Sequence, residues 1–146
     1  MQKLAELKNE LDEIYYELFY NEQKHYLYAN WIGFSSSQDI VDGATVLMHW
    51  LEQNRDKNVS CYINDNRQFK GTWGVEMQWV TEVWTPAVYN SGLRYCALVL
   101  SQDIFAQMAA AAFDEASAEV GKLTTRMFNT FEEAEKWVDE KNRVNV

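Results

Sequence analysis

A chain of 146 residues and 17.1 kDa can bury roughly 70% of the surface its unfolded form exposes, so it needs neither disulfides nor a metal to fold. Hydrophobic residues make up 47% and charged residues 24%, with 6 Gly and 1 Pro, which excludes collagen-like, low-complexity and disordered chains. The 13 basic against 22 acidic residues leave a net charge of -9, which repels phosphate backbones and anionic headgroups, so no nucleic acid and no membrane is expected as a partner.

Leu4, Leu7, Leu11, Ile14 and Leu18 recur at spacings of 3, 4, 3 and 4 with charged residues between them, which predicts an N-terminal amphipathic helix over residues 1–14. Tyr15, Tyr16, Phe19 and Tyr20 favour a pleated strand, Asn21-Glu22-Gln23 a turn, and Tyr26 to Ile32 a second strand, so the two read as a hairpin. Ser35, Ser36 and Ser37 offer N-caps, with Gln38 or Asp39 three residues on from two of them. They open a first long helix that carries Ile40, Ala44, Leu47 and Leu51 to about Asn54. Val59 to Ile63 reads as a short strand ended by the polar turn Asn64-Asp65-Asn66.

Gly71-Thr72 then introduces Trp73, Met77, Val80, Trp84 and Val88, a second long helix closed by Asn90-Ser91-Gly92 with Gly92 as its left-handed terminator. Leu93 to Leu100 is the most continuous apolar run and predicts a strand buried on both faces. A helix from Ser101 through Ile104, Phe105, Met108, Ala112 and Phe113 follows, then a loop over residues 114–122. Leu123 to Phe128 is the last strand, and Thr130 with Glu133 makes a capping box for a final helix with Phe131, Ala134, Trp137 and Val138 on its apolar side. Strands alternating with helices imply right-handed crossovers. The predicted class is therefore α/β: a mixed five-stranded sheet in which a β-hairpin leads into β-α units, residues 15–146 forming one domain behind an extra N-terminal helix.

This succession resembles the SpoIIAA-like (STAS) domain of anti-sigma-factor antagonists, a βα superhelix. Three stretches carry the likeness, over about residues 15–141: Tyr28-Ala29-Asn30-Trp31-Ile32-Gly33-Phe34, Tyr62-Ile63-Asn64-Asp65-Asn66, and Met127-Phe128-Asn129-Thr130-Phe131-Glu132-Glu133-Ala134-Glu135-Lys136-Trp137. The switching members carry Asp-Ser-Ser-Gly, with a phosphorylated serine, ahead of the second long helix. Gly71-Thr72-Trp73-Gly74 stands there, with Gly71 in place of the Asp, and the resemblance makes Thr72 the candidate phosphorylation site. It implies a regulatory, non-enzymatic module that docks a protein partner and uses no cofactor.

The residues themselves nominate few chemical groups. His25, His49, Cys61 and Cys96 show no HExxH, His-x-His or zinc-ligand spacing, so neither a metal nor catalysis is expected. Both cysteines lie in apolar runs, as small buried hydrophobes do in a reducing compartment, and no stretch reaches 18 apolar residues, so a cytoplasmic location is expected. In an open α/β sheet ligands gather outside the carboxyl ends of the strands. That edge should hold the loops Gly33 to Ser37, Asp65 to Thr72, Ser101 to Asp103 and Asn129 to Thr130. It nominates Asp65, Asn66, Arg67 and Thr72 as partner or ligand contacts, against the plainer reading of a turn and a helix cap. Of the six tryptophans, Trp31, Trp73 and Trp137 are assigned to the core. Trp79 and Trp84 are left as contacts with a partner or, alternatively, as the wall of a pocket for an apolar small molecule. The N-terminal helix either docks on the domain's own flank or exchanges with a second copy to make a homodimer.

Overall fold

The computed structural model describes residues 1–71, 74–104 and 123–144. Six strands lie side by side in chain order: β1 (Gln2–Lys8), β2 (Ile14–Asn21), β3 (Tyr26–Gly33), β4 (Cys61–Phe69), β5 (Tyr95–Val99) and β6 (Thr124–Phe128). β1, β2 and β3 form an antiparallel meander, and β3 to β6 are parallel to one another. The predicted hairpin is β2–β3, and every later pair is parallel, as the crossover rule requires.

Helix α1 (Ser37–Gln53) joins β3 to β4, helix α2 (residues 76–90) joins β4 to β5, and helix α3 (Phe131–Val144) follows β6. A capping box starts α1: Ser36 Oγ accepts from Asp39 N–H, and Asp39 Oδ2 accepts from Ser36 N–H, both at 3.1 Å. α2 is α-helical over Glu76–Trp79, widens to a π turn over Val80–Trp84 and resumes over Thr85–Asn90. Pro86 explains the wide turn, because it brings no N–H and its ring needs room against the carbonyl of the preceding turn. Gly92, with φ +110, ends α2 as anticipated. At the start of α3, Thr130 Oγ1 accepts from Glu133 N–H at 3.2 Å.

Strand alternation sends side chains to two cores. Tyr16, Leu18, Leu27, Ala29, Trp31 and Tyr62 face α1 and α2, which supply Ile40, Leu47, Leu51, Trp84 and Val88. Tyr26, Cys61, Ile63, Ala97, Val99 and Phe128 face α3, which supplies Ala134, Trp137 and Val138. α1 comes very close to the sheet at Gly43, where a Cβ would lie 2.6 Å from Trp31 Cη2. β5 is buried on both faces, as its unbroken apolar run predicts.

Two expectations are corrected. Residues 1–14 are not a helix but β1 and the turn into β2, so the sheet has six strands and the element needed for helix exchange between two copies is absent. The reason lies in β1's irregular register: Lys3 pairs with Phe19 but Ala5 with Leu18, so Leu4 is an extra residue. With that bulge Leu4, Ala5 and Leu7 all pack against the core under α1, and a spacing of three mimics helical periodicity. The leucine that completes the helical stripe, Leu11, is 78% exposed in a turn where Asn9 Oδ1 accepts from the Leu11 and Glu13 N–H groups.

The second correction concerns Asn64-Asp65-Asn66, which does not end a strand. Asn64 pairs with Ala29 and Leu98, Asp65 with Asn30 and Val99, and β4 runs on to Phe69 with a bulge opposite Trp31. Neighbouring strands on both sides supply backbone partners that override the turn preference of these side chains. The expected helix after Ser101 is helical over residues 102–104 and, with the loop over 114–122, otherwise falls outside the described residues. Among the described residues no helix is long and apolar enough to cross a membrane.

Candidate functional site

Because β3 to β6 are parallel, Gly33, Phe69, Val99 and Phe128 all end at one rim, and the segments that follow them share it. The Lys70 N–H donates to Gly33 O at 2.9 Å and ties the ends of β3 and β4 together. Where these two ends meet α1 and α2 a cleft of about 360 Å³ opens. Phe34 and Ser35 line it ahead of α1, Ser37 and Ile40 in the first turn of α1, Lys70 and Gly71 beyond β4, and Gly74 and Glu76 at the start of α2.

Glu76 is the chemically distinctive group here. It is 4% exposed, its Oε2 accepts from Ser37 Oγ at 2.9 Å, and its Oε1 accepts from Gly74 N–H at 2.8 Å. Burial pushes this carboxyl up, but the Gly74 N–H, its own N–H and the Ser37 hydroxyl together outweigh burial and hold it below the ordinary glutamate value. Glu76 is therefore an anion at neutral pH. No ion pair reaches it among the described residues. In the same lining Ser35 Oγ is buried and unpartnered. Phe34, in the lining, is 72% exposed, and Val75, between the lining residues Gly74 and Glu76 in the chain, is 84% exposed.

The nominated residues are distributed otherwise. Asp65 and Arg67 lie on the α3 side of β4, away from the cleft. Asp65 is buried and its oxygens are occupied: Oδ1 accepts from Arg67 N–H and Nε at 3.1 and 3.0 Å, and Oδ2 from Arg67 Nη2 at 2.7 Å and the Tyr28 hydroxyl at 2.6 Å. Arg67 is half-exposed and is the reachable member of this group. Asn66 is buried, and both polar atoms of its side chain lack partners. Thr72 and Trp73 lie outside the described residues.

Trp84 is a core residue rather than a surface contact, because its Nε1 donates to Ala44 O at 2.8 Å and its ring packs near Tyr62. Trp79 is half-buried against the same core, so the aromatic wall expected of an apolar pocket is spent on packing. Trp31 and Trp137 are buried as assigned. The structure thus brings together residues not singled out as contacts from the sequence: Phe34, Ser37 and Glu76. An aromatic residue left between a strand and a serine run was the available signal for Phe34. The Ser37–Glu76 contact spans 39 residues and has no local mark.

Burial pushes the thiols of Cys61 and Cys96 up, to about 11 and about 12. His25 is held by the Tyr20 hydroxyl at 3.1 Å and Asn58 O at 3.0 Å.

No family model matches the chain, and no curated protein matches it. Among solved structures it is similar to an uncharacterized protein of the DUF3478 family with a SpoIIAA-like fold, from Shewanella loihica PV-4. The identity is 12%, over 92% of this chain and 90% of that one, with a TM-score of 0.50. At such identity the likeness is one of architecture, and it agrees with the succession of elements: the chain has a SpoIIAA-like fold.

Proposed function

We propose that the chain is a non-enzymatic interaction module that docks a protein partner at the carboxyl rim, over the cleft lined by Phe34 and Glu76. The observation that carries this reading is the 72% exposure of Phe34, which lines the cleft, with Val75, 84% exposed, between the lining residues Gly74 and Glu76 in the chain. Isolated exposed apolar residues are ordinary, but a large apolar side chain bordering a concavity is the anatomy of a contact site. Architecture lends support by analogy alone, since the same fold carries regulatory modules that dock protein partners. Both thiols are buried and protonated, and both ring nitrogens of His25 are engaged, so none of these three groups is offered to a substrate. A pocket for an apolar small molecule is less well supported, because Trp84 is packed in the core.

Photo-crosslinking tests the reading. p-Benzoyl-phenylalanine placed at position 34 or 75 is expected to trap one and the same protein in cells, whereas the probe at His49, on the exposed side of α1, traps nothing specific. Identical patterns from all three positions, or none from 34 and 75, would sink it.

A further inference from the structure

Glu76 narrows the chemistry of the partner. A carboxylate that leaves bulk water is ordinarily balanced by a cation or a metal. Glu76 is 4% exposed, yet its neighbours are the Ser37 hydroxyl and two N–H groups, Gly74's and its own, and no cationic side chain lies within ion-pair distance among the described residues. Its place at the start of α2 helps keep it ionised through the helix dipole. Three donors leave one of the carboxylate's roughly four acceptor sites free and a charge bordering the cleft. Ser35 Oγ, buried and unpartnered in the same lining, adds an acceptor for a second N–H. Lys70 stands in the lining too, but is exposed and makes no ion pair with Glu76. The net charge of -9 draws a cationic segment toward the molecule.

Resting on the docking reading, we infer that the segment entering the cleft carries a lysine or arginine, whose cationic head pairs with the Glu76 carboxylate while apolar neighbours of that residue lie on Phe34 and Val75. The occupant is a basic-apolar stretch of a partner protein.

The test uses the full chain and short random peptides selected on it from a display library, with binding located by NMR. Peptides that shift the amides of Ser37, Gly71 and Gly74 are expected to share a lysine or arginine beside apolar residues. Exchanging that basic residue for glutamine should weaken binding by roughly thirtyfold or more, the loss typical of removing one partner of a desolvated charge pair. Glu76→Gln should cause a comparable loss, and Lys70→Gln a gain. If Glu76→Gln fails to fold, the peptide exchange on the unaltered protein decides alone. Rim-binding peptides that depend on Phe34, as judged by Phe34→Ser, but carry no basic residue would overturn the inference and leave the docking reading standing. Acidic peptides lost on Lys70→Gln would overturn it in favour of an anionic partner. No peptide shifting the rim amides would overturn both.

Discussion

Asp65 shows how one residue's environment converts a turn-forming side chain into a structural charge. Burial alone would raise its carboxyl, but the Arg67 guanidinium, the Tyr28 hydroxyl and the Arg67 N–H outweigh burial and hold it below the ordinary aspartate value. Asp65→Asn leaves Arg67 without its counter-charge and should cost about 2 kcal/mol near neutral pH, the scale for lost hydrogen bonds to a charged group. The pH dependence follows from the direction of the shift. With a folded-state pKa below the unfolded one, the contribution is complete above the unfolded value, about 3.9. It is lost as pH falls from there through the folded value. Urea titrations of both proteins should therefore show a gap at pH 7 that narrows below about pH 4. A gap of the same size at pH 3 would show that packing rather than charge carries the effect.

At the scale of elements, β1 separates two accounts of the same leucines. In a helix Leu7 and Leu11 would share one buried stripe. In the strand Leu7 packs against the core and Leu11 is 78% exposed in the turn. Leu7→Asp should then destabilise by about 1–3 kcal/mol, whereas Leu11→Asp should stay within about 0.5 kcal/mol of the parent in chemical denaturation. Equal costs would favour the helix. The contrast marks where sequence reasoning holds. Ser36 with Asp39, Thr130 ahead of Glu133 and Gly92 are caps and terminators whose chemistry is complete within four residues, and all three stand where the pattern placed them. β1 and the far half of β4 were illegible, because a bulge in one and partners on both sides of the other override local preference. The rim was legible as an edge, since parallel topology follows from alternating strands and helices. Its Glu76 was not, because the partner Ser37 is brought in by a crossover.

The whole molecule carries a net charge of -9, and folding compresses that excess into one surface. Opposing it are ion pairs such as Lys24–Glu135 at 2.8 Å and Lys3–Glu17 at 3.0 Å, whose members are partly or largely exposed. Exposed pairs contribute little, typically below about 1 kcal/mol, while repulsion acts between all like charges within a Debye length of about 8 Å at physiological salt. Screening should therefore relieve more repulsion than it removes attraction, and the melting temperature should rise as NaCl goes from about 20 mM to about 300 mM. The docking of a basic segment at Glu76 depends on the same field with the opposite sign, so its affinity should fall over that range, mainly through slower association. Calorimetry and peptide titration on one protein stock compare the two directly. A melting temperature that drops with salt would mean that the ion pairs dominate the surface, and the attraction claimed for a cationic partner would lose its long-range part.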